Sequence, residues 1–287
     1  MAVKEPVIFT EKDELRKWSR SMRTQGKTIG LVPTVGYLHQ GHLSLVEEAH
    51  KHAEVVVVSI YVNPGQFSPS EDLSTYPSDF HGDILKLKYV PGGVDAVFAP
   101  KNLYDYRENK KSEIDVDVKD KNSCKKGVVA TIVSKLFNIV EPDVAVFGKK
   151  DYQQWRIIQR MVRDLDFGVE IVGSDIVRDS DGLALSSRNV HLPLEEREKI
   201  LNLTIPKQII LSLLKAKSDA KIGPVNCKEM TDTVVQTITQ AGGRIDYAEI
   251  VKQESLEAVE EIKNPVVFCI AAWFGQVRLI DNIEISI

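Results

Sequence analysis

The sequence predicts an α/β protein with a parallel sheet, followed by a smaller α+β module. In the first part of the chain, short β-branched runs alternate with helix-length amphipathic segments, which is the pattern of βαβ units. Further along, helical segments come first and three strands follow, as in a separate α+β module. We therefore predict one domain over residues 1–180 and a second over residues 181–287.

The elements of the first domain follow from apolar periodicity. Residues 54–63, EVVVVSIYVN, are almost continuously apolar and largely β-branched, as in a central parallel strand covered on both faces. The other predicted strands are residues 28–34, 94–100, 143–148 and 169–177, and the predicted helices are residues 41–52, 129–140 and 151–165. Residues 101–126 are highly charged and predict a surface excursion with an edge strand at EIDVDV.

The second domain begins with predicted helices. They lie between residues 192 and 217, with an interruption at Pro206, and at residues 227–243, where two glycines stop the helix. Three strands are then predicted, at residues 244–252, 265–274 and 276–287, the last two joined by a turn that contains glycine.

The bulk composition narrows the classes of function. The 287 residues carry a formal net charge of −4, so the chain lacks the basic surplus that nucleic-acid binding needs. No apolar run approaches membrane-spanning length, and the amino terminus has no signal-like apolar segment. The three cysteines are far apart and fit neither a disulfide framework nor a structural zinc site. We expect a cytoplasmic protein with no nucleic-acid or membrane partner.

Two histidines, His39 and His42, stand at the turn between a predicted strand and a predicted helix. Ligands of parallel sheets bind at the carboxyl ends of the strands, and a helix N-terminus attracts anions. Gly36 and Gly41 let the backbone approach a bulky ligand closely, so the segment suits a triphosphate. Two alternatives stay open, because the histidines could simply cap the helix or could bind a metal, although no acidic third ligand stands nearby.

Two further polar segments follow predicted strands. Asn63 and Gln66 follow the carboxyl end of the central strand. There they could form hydrogen bonds with a hydroxyl or a carboxylate of a ligand, or they could simply belong to a polar loop. Lys149 and Lys150 oppose the dipole of a helix that Asp151 could cap, and such local conflicts often mark function.

The loop between the two predicted domains, DGLALSSRN, carries two serines and an arginine. Arg188 could clamp a phosphate with two hydrogen bonds, and the serines could add donors. The alternative is an ordinary turn.

Together these four segments resemble the signature blocks of the pantothenate synthetases, the AMP-forming pantoate–β-alanine ligases. In order, they are PTVGYLHQGHLSLV, VSIYVNPGQF, FGKKDYQQ and DGLALSSRN. With SKLFNIVEPDVAVFG and AAWFGQVRLIDN, the resemblance covers nearly the whole chain, and LSTYPSDF and KNLYDY are similar to the plant type. The histidine block also resembles the HIGH motif with which nucleotidyltransferases handle ATP.

The resemblance implies a Rossmann-like parallel-sheet nucleotidyltransferase domain and a smaller C-terminal α+β lid domain, assembled as a homodimer. It implies Mg²⁺ with ATP as co-substrate. The implied reaction condenses (R)-pantoate with β-alanine to give pantothenate, AMP and pyrophosphate through a pantoyl-adenylate intermediate.

The resemblance also implies roles for individual residues. The implied catalytic residues are His39, His42, Lys150 and Arg188, and the implied pantoate and β-alanine ligands are Gln66 and Gln154. The implied ATP-binding residues are Val35, Gly36, His39, Gly41, His42, Gly148, Lys149, Lys150, Asp151, Val177, Leu185, Ser186, Ser187 and Arg188.

The chain departs from the family pattern in two places. The family usually has Met where Val35 stands, and an Arg-Pro-containing segment that walls the pantoate pocket where Lys121–Val128 reads KNSCKKGV. Asp83 is the candidate Mg²⁺ ligand nearest the family's acidic position. The altered segment motivates two alternatives: an adenylating ligase for another small carboxylic acid, and a non-catalytic nucleotide-binding paralogue.

Overall fold

The structure is a computed structural model, which describes residues 3–66, 73, 76–104, 123–200 and 225–286. It divides into two compact units, the first made of Met1–Lys149 and Gln154–Asp175, the second of Lys150–Gln153 and Ile176–Ile287. The strand predicted at EIDVDV and most of the helical stretch predicted between residues 192 and 217 lie outside the described residues.

A parallel sheet forms the centre of the first unit. Its strands are β1 (Val7–Phe9), β2 (Ile29–Thr34), β3 (Val55–Ile60), β4 (Ala96–Phe98), β5 (Val144–Gly148) and β6 (Glu170–Ser174). Within the described residues their order is β1-β4-β3-β2-β5-β6, and each neighbouring pair is parallel. The predicted parallel α/β architecture is confirmed. The strand order reverses between β2 and β5, which is where open parallel sheets bind ligands at their carboxyl ends.

Helices cover this sheet; the second and the fifth begin within one residue of their predicted starts, and the third was not predicted. They are α1 (Lys12–Thr24), α2 (Gln40–Ala49), α3 (Phe80–Tyr89), α4 (Ser123–Val140) and α5 (Tyr152–Asp164). The valines of β3 are fully buried, as expected of a central strand. Helix α4 is longer than predicted, since it begins at Ser123 rather than at residue 129.

The first strand and helix were not predicted from the sequence. Strand β1 has only three residues, and Val7 and Ile8 are largely exposed at the edge of the sheet, so no buried apolar run marks it. Helix α1 buries only Leu15 and Ser19, which is a narrow stripe for periodicity to detect.

The second unit contains a smaller antiparallel sheet. Its strands are β8 (Arg244–Lys252), β10 (Val266–Phe274) and β11 (Val277–Ile285). Two shorter strands, β7 (Val225–Asn226) and β9 (Glu261–Ile262), pair in a separate antiparallel ribbon. The three main strands pair in the order β11-β10-β8. The helices described here are α6 (Leu194–Ile200) and α7 (Cys227–Gln240), and α7 buries Met230, Val234 and Ile238 in the core of the unit. The predicted C-terminal α+β module is confirmed.

Helices long and apolar enough to cross a membrane are not found in the described part of the chain.

Candidate active site

Three predicted site segments leave neighbouring strands at the same edge of the parallel sheet. The His39–His42 segment follows β2, Gln66 follows β3, and Gly148 ends β5. Strand β2 lies between β3 and β5 in the sheet, so the fold of the first unit brings these segments to one side of the strand reversal.

The two histidines form a reciprocal cap at the start of α2. The Nδ1 atom of His39 accepts a hydrogen bond from the Gly41 amide at 3.1 Å, and the Nδ1 atom of His42 accepts one from the His39 amide at 3.3 Å. The two ring centroids are 4.0 Å apart. Because Nδ1 accepts in both rings, the proton of each neutral imidazole is on Nε2. The histidines therefore do cap the helix, and their Nε2–H groups suit an anion.

The turn before His39 has an uncommon backbone. Gly36 has φ 85° and Tyr37 has φ 50°, so two consecutive residues lie in the left-handed region. A Cβ atom at Gly36 would come within 3.1 Å of Ile60, which shows how closely the turn approaches β3.

Asp83 is buried beneath this turn, with only 1% of its surface exposed. Its Oδ2 atom accepts the Tyr37 amide at 2.8 Å and its Oδ1 atom accepts the Leu38 amide at 2.6 Å. Burial raises the pKa of the Asp83 carboxyl, and the two amide donors oppose that rise.

The described residues fit a magnesium ion that arrives with ATP better than one held by the protein. Both carboxylate oxygens of Asp83 already accept backbone amides. Groups of three or more His, Cys, Asp or Glu side chains that could hold a metal do not occur in the described ranges. Phosphate oxygens of ATP are themselves good Mg²⁺ ligands.

The segment after β3 carries an unsatisfied amide. Asn63 is 1% exposed, and neither polar atom of its side chain has a hydrogen-bond partner among the described residues. Such buried groups usually find a partner, so a ligand is a natural candidate. Gln66 is half-buried in the short 3-10 turn Pro64–Gln66, and its backbone N–H donates to the backbone carbonyl of Asn63 at 3.1 Å.

Helix α4 lies against the same turn. A Cβ atom at Gly65 would come within 2.7 Å of the Val128 side chain, so the last residue of the segment that departs from the family pattern touches the residue before Gln66. Lys121 and Asn122 in that segment are outside the described residues.

A cavity of about 250 Å³ opens in the first unit beside the turn. Its lining comes from the carboxyl ends of β3 and β4, from the turn after β2 and from α3. The lining residues are Val35, Gly36, Ile60, Tyr61, Val62, Ser78, Phe80, Asp83, Pro100 and Lys101. Most of these lining residues were not predicted as site residues, because they come from four separate stretches of the chain.

The segment after β5 is divided between the two units. In the first unit, the Nζ atom of Lys149 is 3.0 Å from Asp175 Oδ1 and lies 5.7 Å from the centroid of the Trp155 ring, while Gln154 is half-buried in the first turn of α5. Lys149 thus has protein partners that explain its position next to the helix.

Lys150, the following residue, belongs to the second unit, where β11 holds its backbone. Asn282 Nδ2 donates to the Lys150 carbonyl at 3.0 Å, and Lys150 Nζ is 4.0 Å from Asp151 Oδ2. Two residues along, the Tyr152 hydroxyl donates to Glu284 at 3.2 Å. Strand β11 therefore fixes the path of this segment.

The same strand holds the loop that contains the SSR sequence. Arg178 makes a bidentate ion pair with Asp281, and both N–O distances are 2.8 Å. This pairing raises the pKa of the Arg178 guanidinium. The Leu185 amide donates to the Val177 carbonyl at 3.0 Å, which brings the predicted residues Val177 and Leu185 together.

The serines begin a short 3-10 helix, Ser187–His191. Ser186 is its N-cap, and its Oγ atom accepts the Arg188 amide at 3.2 Å. Ser187 is buried and Arg188 is half-buried. Nearby, Arg197 bonds both Asp179 and Asp181, and its hydrogen bond lowers the pKa of the Asp179 carboxyl.

Sequence reasoning missed the residues that hold these segments in place. Asp281 and Asn282 belong to the RLIDN sequence, which contributed to the family resemblance without indicating a role. Asp83 is suggested by the sequence only as a metal ligand.

Comparison with known proteins identifies the family. The family model described as pantoate-beta-alanine ligase matches residues 7–284. The chain belongs to the pantoate–β-alanine ligase family. It is 58% identical to the pantoate–β-alanine ligase of Arabidopsis thaliana and 57% identical to that of Lotus japonicus, with 98–99% of this chain and 99% of each relative covered.

Solved structures of family members agree in fold. Pantothenate synthetase from Thermus thermophilus aligns with a TM-score of 0.81 and 37% identity, covering 98% of this chain and 99% of that one. The ligase from Francisella tularensis, whose structure is described as a complex with beta-gamma ATP and beta-alanine, aligns with a TM-score of 0.70 and 28% identity over 97% of both chains. The chain is thus an enzyme of the ligase class, and a non-catalytic paralogue is not favoured.

Proposed function

We propose that this protein condenses (R)-pantoate with β-alanine, using ATP and releasing AMP and pyrophosphate through a pantoyl-adenylate intermediate. The observation that carries the proposal is the pair of histidines that cap α2 at the strand reversal, at the same sheet edge as Gln66. Family membership and the F. tularensis relative, described as binding an ATP form and β-alanine, support it.

In the first half-reaction, a carboxylate oxygen of pantoate attacks the α-phosphorus of ATP. A new P–O bond forms, the bond between the α-phosphorus and the bridging oxygen breaks, and pyrophosphate leaves with that electron pair. The chemistry needs mainly positioning and stabilisation of negative charge. The Nε2–H groups of His39 and His42 supply donors for the phosphates.

In the second half-reaction, the neutral amine of β-alanine attacks the acyl carbon. A C–N bond forms, the acyl–oxygen bond to AMP breaks, and the amine loses a proton. We propose that Gln66 and Gln154 hold pantoate, and that the unsatisfied amide of Asn63 finds its partner in a substrate.

The remaining predicted residues belong to the same proposal. Catalytic roles for Lys150 and Arg188 rest on the family resemblance and on the charge of their side chains, which suits a polyphosphate. The other proposed nucleotide ligands are Val35, Gly36, Gly41, Gly148, Lys149, Asp151, Val177, Leu185, Ser186 and Ser187. We propose that Mg²⁺ enters as Mg-ATP.

Three further features are proposed on the same resemblance. They are a homodimer, a domain boundary near residue 180 with the C-terminal domain acting as a lid, and a cytoplasmic location. A lid would exclude water from the acyl adenylate, which otherwise hydrolyses. Cys227 and Cys269 are free thiols, as expected in a reducing compartment.

The test measures AMP formation with Mg-ATP, pantoate and β-alanine. We expect β-alanine-dependent AMP, and we expect pantoate to exceed other small carboxylic acids in pyrophosphate release. His42→Ala should lower kcat/KM by about 100- to 1,000-fold, because it removes a donor to developing charge. His52→Ala is the matched control, since His52 follows α2 and contacts Glu48. An absence of β-alanine-dependent AMP in the unaltered protein would refute the proposal.

A further inference from the structure

Helix α3 reaches the turn before the histidines with two side chains. Asp83 accepts the amides of Tyr37 and Leu38, as described above. Lys86 Nζ donates to the Leu38 carbonyl at 2.7 Å and lies 5.7 Å from the centroid of the Tyr37 ring. The two residues are three apart, so they stand on one face of the helix. Together they bind both peptide groups of Leu38.

The turn needs such support, because its backbone is strained. Tyr37 is a non-glycine residue with φ 50°, a conformation that persists only where surrounding contacts impose it. Asp83 supplies those contacts, although burying a carboxylate opposes folding. A buried charge that grips a strained turn is a local conflict of the kind found at functional sites.

Leu38, the residue that Asp83 and Lys86 bind, directly precedes His39, the N-cap of α2. Leu38 is 2% exposed and belongs to the hydrophobic cluster against which Leu43, in the first turn of α2, also packs. His39, the next residue, is the N-cap of α2, and its amide donates to His42. A rotation of the Leu38 peptide would therefore move the amide that orients the second imidazole.

We propose that Asp83 and Lys86 are positioning residues for the adenylation half-reaction, holding the Tyr37–Leu38 turn so that His39 and His42 meet the triphosphate in reactive geometry. This proposal rests on the proposed function, and it gives Asp83 a role other than metal ligation.

The test isolates the first half-reaction, measured as pantoate-dependent exchange of labelled pyrophosphate into ATP. Asp83→Asn should lower kcat for exchange by about 10- to 100-fold, the scale of a small misplacement of catalytic groups, while KM for pantoate stays within about twofold. Lys86→Met should act in the same direction, and Lys86→Arg should retain most of the rate because it keeps a donor and a cation. The Lys86 side chain is 40% exposed, so its variants keep the test available even if Asp83→Asn does not fold.

Asp79→Ala is the matched control on the same helix. Asp79 is the N-cap of α3 and accepts the Gly82 amide at 2.9 Å, so its loss destabilises the helix while Asp83 and Lys86 keep the groups that bind the turn. The control should unfold at lower urea and exchange at the wild-type rate. Equal kcat losses in Asp79→Ala and Lys86→Met would overturn the proposal, because the effect would then be general destabilisation.

Two other results would also overturn it. Wild-type kcat in Lys86→Met and, where it folds, in Asp83→Asn would show that the turn needs no clamp. A rate restored in Asp83→Asn by raised Mg²⁺ would assign Asp83 to metal binding. Failure of the unaltered protein to exchange pyrophosphate would instead refute the proposed function.

Discussion

Replacing Asn282 by Ala tests whether β11 positions the lysine proposed to meet phosphate. The change removes the Nδ2 donor that lies 3.0 Å from the Lys150 carbonyl. Asn282 is 7% exposed, so water has little access to replace the lost bond. Leaving a buried acceptor unsatisfied costs about 1–3 kcal/mol. If the segment shifts in response, Lys150 moves away from the position proposed to meet phosphate. A loss of transition-state stabilisation of the same size would lower kcat by about 5- to 150-fold.

The assay compares kcat for AMP formation with the free energy of unfolding in urea. Asn226→Ala is the matched control, because Asn226 is also an asparagine of the second unit and caps α7 through the amides of Lys228 and Glu229. It should cost about 1 kcal/mol of stability and leave kcat unchanged. The reasoning is refuted if Asn282→Ala keeps wild-type kcat while losing as much stability as the control.

Two further predictions concern other parts of the second unit. Cys269 is 3% exposed and burial raises its pKa to about 12, so iodoacetamide at about pH 8 should leave it unmodified until the protein unfolds, as mass spectrometry can show. Arg197 lowers the pKa of Asp179 below its ordinary value of 3.8, so their ion pair stabilises the protein above that value and is lost as pH falls through the lower folded pKa. The stability difference between wild type and Arg197→Gln should therefore shrink from about pH 5 to about pH 3 in urea titrations.

The Cys269 and Arg197→Gln predictions can each be contradicted by one result. Rapid alkylation of Cys269 in the folded protein, at the rate seen after unfolding, would show that its strand opens readily. A stability difference for Arg197→Gln that stays constant over the acid range would show that the pairing with Asp179 contributes nothing.

The sequence predicted the elements whose local pattern is strong. The β-branched run at β3 and the three C-terminal strands are long enough for burial and alternation to show in the residues themselves. β1 escaped prediction because it is a three-residue strand at the sheet edge, with exposed side chains. Helix α4 begins earlier than its apolar pattern does, because a charged and polar stretch precedes Gly127.

For the candidate site, the sequence predicted the segments that the parallel sheet brings to one edge, and the fold decided how each segment is held. The histidines, Gln66 and Gly148 follow strands that the sequence located, and the parallel sheet brings their segments to one edge. The capping geometry of His39 and His42 is local as well, since it spans three residues.

By itself, the sequence determined the family, the order of the strands along the chain and the candidate ligands, because these depend on residues close to one another in the chain. Only the tertiary structure decided that Asp83 grips the turn before His39 and that Asn282 holds Lys150. Each contact joins residues far apart in the chain through a hydrogen bond of about 3 Å, and no periodicity or local spacing encodes such a bond. Its direction depends on where whole elements pack, and packing is a property of the folded chain.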